Sequence, residues 1–469
     1  MTHRPGSRTR FLPVLTFPMC SFSVLAKMNI IRHSDTNFLD AFRRMTAPSS
    51  LFDPVIEQRT CEIVESVRAR GDEALLELTE RFDGAKLYPE QMAVTTAELL
   101  RASVKADRFL RKAIAAASTN IETFSRKSLR KGWSSRNAQG AKVGEKFDPF
   151  QRVGIYIPGG SAPLVSTALM TIVLARVAGC REIVVCTPGG KTGEINPALL
   201  FAINAAGATE IYRLGGAQAI AAMALGTATI RRVQKVFGPG NAYVVAAKRL
   251  LYGQVAIDLL PGPSEVLVLA DDSSEPSFIA SDLLAQAEHG SGHERVWLLT
   301  PSGKLLKAVE KEITRQLPKL SRRDLIKRVL DQNGWLIQVR DMEHGIKLIN
   351  QLAPEHCEVM TRNADGVAAK IFTAGAIFLG SYSPTVLGDY LAGPSHTLPT
   401  GGAGASFSGL TVDQFQRRTS VVEYDRAALK KSLTAVQKFA EVEGLDAHGR
   451  SAEIRAKGRK INRGKTSTP

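Results

Sequence analysis

The stretch Gln286-Ala287-Glu288-His289 closes the run Ser281-Asp282-Leu283-Leu284-Ala285. As a helix, that run sets Gln286 and His289 three residues apart on one face, and Asp282, four residues before Gln286, joins them. An imidazole and an amide oxygen converging from one helical face offer two ligands to a divalent ion. Gly290 follows at once, as expected where a helix stops. On these residues alone a capped surface helix is the simpler account. The metal reading depends on what else the chain supplies.

Three further segments carry acids and imidazoles. Pro354-Glu355-His356 sets a carboxylate beside an imidazole in a segment with helical potential ahead of a strand. Histidine titrates near neutrality and is the natural base for a hydroxyl proton. Adjacent side chains diverge on a helix, so Glu355 and His356 would act on different protons. Gly388-Asp389-Tyr390, followed by Gly393-Pro394-Ser395-His396, adds an acid and an imidazole among glycines. Glu443-Gly444-Leu445-Asp446-Ala447-His448 lies just before a basic end. His3, His33, His293 and His344 have no comparable setting, although His293 is close enough to His289 to be a rival ligand.

Several glycine loops could admit a ligand. Pro158-Gly159-Gly160-Ser161-Ala162-Pro163 lies between a strand and a helix, where small residues let a backbone approach a ligand and a helix N-terminus favours anions. No segment matches the dinucleotide fingerprint Gly-x-Gly-x-x-Gly. Gly189-Gly190-Lys191-Thr192 resembles the end of a phosphate loop, but the leading glycine would fall at Val185, which makes it a decoy turn. Phe237-Gly238-Pro239-Gly240-Asn241 and Pro261-Gly262-Pro263-Ser264-Glu265 are tight loops at strand ends, and either ligand binding or turn geometry explains them.

The elements that must hold these residues alternate. Val153–Ile157, Ile183–Cys186, Ile211–Leu214 and Val255–Asp258 are short apolar strand candidates, separated by alanine-rich helical runs such as Leu169–Ala178 and Ala217–Leu225. Val266–Leu269, Val296–Leu299 and Ala376–Leu379 form a second set. The alternation predicts two parallel-sheet α/β units, a natural frame for a cofactor and a substrate in one crevice. Residues from about 36 to 130 read as helical, with apolar spacings of three and four in Ile63-Val64-Val67 and Leu75-Leu76-Leu78. The stretch after Thr411, with a helical candidate over Asp425–Val442, is too thin to bury its own core and should pack on something else, such as a second copy of the chain.

At 469 residues the chain is long enough for several domains and a substantial core. Its net charge of +16 is unevenly placed: residues 1–27 contribute +4 and residues 449–469 contribute +6, leaving +6 over the 421 between. A charge concentrated in the tails describes solvated ends and argues against a nucleic-acid binder. Cys20, Cys61, Cys180, Cys186 and Cys357 form no Cys-x-x-Cys pair, a pattern of reduced thiols that points to the cytoplasm. Residues 1–27, basic and then apolar, imitate a signal peptide, and their acid-free character also suits an organellar transit peptide. Two prolines interrupt the apolar run, and a start at Met28 is the preferred reading. No other segment approaches transmembrane length, so no membrane partner is expected.

Taken in order, Tyr156–Gly160, Phe237–Asn241, Gly262–Glu265, Gln286–His289, Ala353–His356, Gly388–Tyr390 and Glu443–His448 closely resemble the histidinol dehydrogenase family, over about Met28 to Arg455. The resemblance implies an α/β fold of two incomplete Rossmann-like domains, with a helical N-terminal region and an extended C-terminal tail, in an intertwined homodimer. The implied divisions are a 1–27 extension, a helical 28–130 region, a first domain of 131–155 plus 264–410, an NAD-binding domain of 156–263, a dimerisation tail of 411–455 and a basic tail of 456–469. It implies one Zn2+ per subunit held by Gln286, His289, Asp389 and His448, the last from the partner chain together with Glu443. Glu355 and His356 would carry proton transfer. Ser264, His356, His396 and Glu443 would contact L-histidinol beside the metal ligands. Tyr156, Gln218 and Asn241 would contact NAD+. The implied chemistry is a four-electron oxidation of L-histidinol to L-histidine by two NAD+ in turn, through a bound aldehyde. The N-terminal extension, the basic tail and Cys357 depart from the family pattern. The nearest alternative is a relative acting on another small alcohol, such as a sulfonated diol; the complete Glu443–His448 segment argues against it. A zinc-binding protein without turnover would have no need of Glu355, His356 and His396.

Overall fold

The structure, a computed structural model, describes residues 27–45, 53–159 and 162–458. The expectation of an N-terminal extension, most of the basic tail beyond 456, and Gly160-Ser161 lie outside those residues.

Two parallel sheets organise the chain. The six-stranded sheet runs, edge to edge, Asn29–Arg32, Gly334–Gln338, Arg295–Thr300, Glu265–Ala270, His356–Met360 and Ala376–Leu379. The five-stranded sheet runs Glu210–Tyr212, Glu182–Cys186, Arg152–Tyr156, Lys235–Phe237 and Ala256–Ile257. Strands buried on both faces read as continuous apolar runs. Glu265-Val-Leu-Val-Leu-Ala270 is buried at every position. Val266 and Val268 pack under helices Pro276–Ala287, Gly303–Gln316 and Arg323–Asn333, while Leu267 and Leu269 face Met342–Leu352 and Phe38–Met45 on the other side. The five-stranded sheet is covered in the same way. Val153 and Ile155 meet Val165–Ala178 and Pro197–Ala206; Val184 and Val236 meet Gly216–Leu225 and Ala242–Leu251.

Three sequence expectations change. Residues 28–130 are not a separate helical region: Asn29–Arg32 is a strand of the larger sheet, and helices Pro54–Arg70 and Asp72–Asp83 complete the core of the smaller one. The 155/156 division is also displaced, because Arg152–Tyr156 is the central strand of the smaller sheet. Trp133–Arg136 and Lys142–Pro149 instead join Gln416–Glu423 in an antiparallel sheet. Trp133–Arg136 is exposed throughout and carries no buried face from which a strand could be read.

After Gln416–Glu423 the chain forms two helices, Arg426–Glu443 and Asp446–Lys457, that pack chiefly on each other. Gly444, at φ 68°, makes the turn between them. Their outer surface leaves Phe439, Val442 and Ile454 exposed. Among the described residues no helix is long and apolar enough to cross a membrane.

Candidate active site and cofactor cleft

His356 opens its strand rather than sitting on a helix, because helix Met342–Leu352 ends in Ala353 at φ 45° and Pro354 bars its continuation. Its pairing aligns it with Val266 and Ala376, so it stands at the amino ends of three adjacent strands. The main chain of Glu265 holds both catalytic candidates. Its N–H donates to Glu355 Oε2 at 2.7 Å, and its carbonyl lies 2.9 Å from His356 Nδ1. Ser264 bonds to the Glu355 carboxyl as well. With Nδ1–H donating to that carbonyl, Nε2 of His356 carries the free lone pair.

The two groups are tuned in opposite directions. Burial pushes the Glu355 carboxyl well above the usual carboxylate range, with the acids Glu265 and Asp389 adding to the rise. Burial lowers the His356 pKa and favours the neutral ring, against the pull of Asp389. The two side chains lie 3.5 Å apart, Nδ1 to Oε2, and leave His356 Nε2 as the free base beside a carboxyl that burial inclines to hold its proton.

Asp389 faces both imidazoles. Its Oδ1 is 3.9 Å from His356 Nε2 and 3.9 Å from His396 Nδ1, beyond hydrogen-bond range of either. His396 Nδ1 bonds the Asp389 carbonyl at 3.0 Å, and its Nε2 lies 3.4 Å from Thr167 on the Val165–Ala178 helix. Ser395 donates to the Met170 carbonyl of the same helix, so this loop rests on the smaller sheet's core. His356, His396, Gly388 and Phe378 line a cavity of about 280 Å³.

Gln286 is buried, and its Nε2 has no hydrogen-bond partner among the described residues. The helix stops at Ala287, two residues earlier than the sequence spacing suggested, and His289 lies exposed in the turn that follows. His289 nevertheless disfavours the charged forms of both His356 and His396, which places it by the same cluster. Glu443 and His448 are exposed on the C-terminal helices and are not gathered into it. Among the described residues no three His, Cys, Asp or Glu side chains assemble a metal site by themselves. One amide, one imidazole and one carboxylate from this chain, the amide unpaired among the described residues, match in donor chemistry a nitrogen/oxygen metal set.

The second candidate region is a cleft of about 1200 Å³ above the carboxyl ends of the smaller sheet, where doubly wound sheets bind ligands. Tyr156, Gln218 and Asn241 all line it. Tyr156 is fixed by the Gly216 N–H, donated to its hydroxyl at 3.0 Å, and Asn241 caps helix Ala242–Leu251 by accepting from Tyr243 N and Val244 N. Gly238, at φ 110°, must be glycine, since a Cβ there would collide with the Tyr156 carbonyl oxygen. Among the described residues, Asp83 Oδ2, Thr187 Oγ1 and Gln218 Nε2 are buried at this cleft without partners, three open polar valences that suit a polar ligand such as a dinucleotide. Gly189-Gly190-Lys191, read from sequence as a mere turn, also lines it. Asp83 and Thr187 were missed for lack of any motif, and Glu265 because its contribution is its backbone.

Comparison with known proteins agrees with the geometry. The family model for histidinol dehydrogenase matches residues 49–456. Histidinol dehydrogenase of Heliobacterium mobile is 44% identical over 406 residues, 87% of this chain and 95% of that protein. The Geobacter sulfurreducens enzyme of the same name is 43% identical over 435 residues, covering 92% of this chain and 100% of its own length. The crystal structure of histidinol dehydrogenase from Elizabethkingia anophelis superimposes with a TM-score of 0.87 at 36% identity, covering 92% of this chain and 98% of that one. Matched in sequence and in fold over nearly its whole described length, the chain belongs to the histidinol dehydrogenase family of NAD-dependent oxidoreductases.

Proposed function

We propose that the chain oxidises L-histidinol to L-histidine through bound L-histidinal, reducing two NAD+ in turn and depending on zinc. The observation that carries this reading is the pairing of Glu355 and His356 by the main chain of Glu265, with opposite proton affinities and Asp389 in front of them. Gln286, His289 and Asp389 would hold the zinc, completed by His448 of a second copy. Bound there, the metal supplies a fixed positive charge that orients the substrate.

His356 Nε2 takes the substrate hydroxyl proton in each oxidation, its orientation set by the Nδ1 bond to Glu265. Ser264, His396 and Glu443 of the second copy read the rest of the substrate. Glu355, its own proton released to solvent, accepts one from the water that adds to the aldehyde while protonated His356 returns its proton to the aldehyde oxygen, giving the hydrate whose oxidation yields the acid. Burial of both side chains keeps bulk water from the reactive aldehyde. Tyr156, Gln218 and Asn241 hold NAD+ in the larger cleft, and the unpartnered Gln218 amide supports that role.

The exposed apolar residues on the C-terminal helices support a homodimer in which Glu443 and His448 complete the partner's site. Cys180, Cys186 and Cys357 are buried free thiols, which supports a reducing, cytoplasmic setting. The test is metal removal. Chelated protein should oxidise no L-histidinol and should regain turnover with stoichiometric Zn2+. Full turnover by metal-free protein would overturn the zinc reading.

A further inference from the structure

One turn or one residue pair away from the site, three elements meet at a pair of buried acids. Glu358 follows His356 by two residues on the same strand and points to the same face of the sheet. Asp282 precedes Gln286 by one turn of helix Pro276–Ala287. Their carboxyl groups hydrogen-bond to each other. Glu358 Oε1 also accepts the Thr385 N–H at 2.8 Å, and Thr385 opens helix Thr385–Tyr390 one turn before Asp389. Asp282, Glu358 and Thr385 are all buried.

Two ionised carboxylates have no hydrogen to give one another, and among the described residues no other group donates to Glu358 Oε2. The contact is a hydrogen bond only if one proton lies between the two acids. We propose that Asp282 and Glu358 share a buried proton, and that this bond, with the Thr385 N–H on the far side of Glu358, is the positioning device that sets Gln286, His356 and Asp389 in register. Burial raises both acids, Glu358 well above the ordinary range and Asp282 to about 6, so Glu358 keeps the proton and donates to Asp282. Each member stands next to the residue it positions: Asp282 before Gln286, Glu358 after His356, Thr385 before Asp389. The three elements have no covalent continuity, so a side-chain clamp at this point fixes helix rotation and height against the strand.

The inference rests on Gln286 and Asp389 holding zinc, and it is tested by zinc affinity rather than by turnover. Wild-type, Glu358→Gln, Glu358→Leu and Thr385→Pro chains, full length, are compared by competition with a chromophoric chelator, with circular dichroism to confirm folding. Glu358→Gln should match wild type, because its amide N–H donates to Asp282 while its oxygen still accepts from Thr385. Glu358→Leu breaks both bonds. Thr385→Pro, a residue suited to the first turn of a helix, removes only the Thr385 donors and carries the test if the leucine variant fails to fold. Both should weaken zinc binding at least about tenfold. Unchanged affinity in the folded leucine or proline variant would overturn the proposal and leave the metal reading intact. Equal losses in the glutamine and leucine variants would also overturn it. A wild-type chain that takes up no zinc would overturn the metal reading and this proposal together.

Discussion

Lys248 and Asp258 form an ion pair with no exposed side-chain surface, and replacing Lys248 by methionine gives the sharpest stability prediction. The ammonium donates to the Gly238 carbonyl at 2.9 Å, the Leu259 carbonyl at 2.8 Å and the Asp258 carboxylate. Asp258 Oδ2 in turn accepts the Gly238 N–H at 2.8 Å. All three donors of the lysine are therefore used, and they tie the Gly238–Asn241 loop to the segment leading to Ser264. Methionine fills the same space but strands a buried carboxylate and two carbonyls. Losing one partner of such a pair costs about 3–5 kcal/mol, in line with ~1.5–3 kcal/mol for a single bond to a charged group. Urea denaturation followed by circular dichroism should show that loss for Lys248→Met. Adding Asp258→Asn should recover at least ~1 kcal/mol, because the stranded charge is gone. A Lys248→Met loss below ~1 kcal/mol, or a double variant whose loss equals the sum of the two single losses, would refute the reasoning.

Three further outcomes follow from the site. Glu355→Gln keeps an oxygen for the Glu265 N–H but cannot take a proton from water, so aldehyde oxidation should fall by about 10²–10⁴ while alcohol oxidation persists, read as accumulated L-histidinal by mass spectrometry. Glu265 has its carboxyl raised from 4.5 to about 7, by burial first, with Arg295 opposing. Between those values the folded chain holds a proton that the unfolded chain has released, so stability should fall by up to ~3 kcal/mol as pH climbs from 4.5 to about 7, and Glu265→Gln should flatten that slope in urea titrations. Mixing His356→Asn chains with His448→Ala chains by denaturation and refolding should restore about a quarter of wild-type turnover, since half the dimers carry one intact site; no recovery would contradict a shared site.

Much of this site was legible because its chemistry sits in strand-end loops whose glycines and prolines stand out. Gly238 and the Pro158-Gly159 turn could be marked as places of close approach, and the apolar runs at 153–157, 183–186 and 266–269 named strands of both sheets. The strand His356–Met360 was hidden by its own function: two of its five residues are His356 and Glu358, polar groups on a buried face. The Trp133–Arg136 strand is exposed; it pairs with the nearby Lys142–Pro149, whose other neighbour, Gln416–Glu423, lies far along the chain. Asn29–Arg32 is too short for a period to show, and its place beside Gly334–Gln338 depends on a contact some 300 residues away. The N-terminal helices carried readable apolar stripes, but a stripe does not say which sheet it will cover. Asp282 was visible on the Gln286 face; its partner Glu358 was not, because the bond between them crosses from helix to sheet.

The most direct test of the whole account is the number of NADH formed per L-histidinol consumed by the zinc-loaded protein. Two NADH, with L-histidine as the only product, is the result expected from the proposed roles, in which His356 would serve both oxidations and Glu355 would hydrate the aldehyde before it leaves. One NADH with free L-histidinal would contradict the role given to Glu355. No NADH from a zinc-loaded protein would contradict the choice of L-histidinol itself.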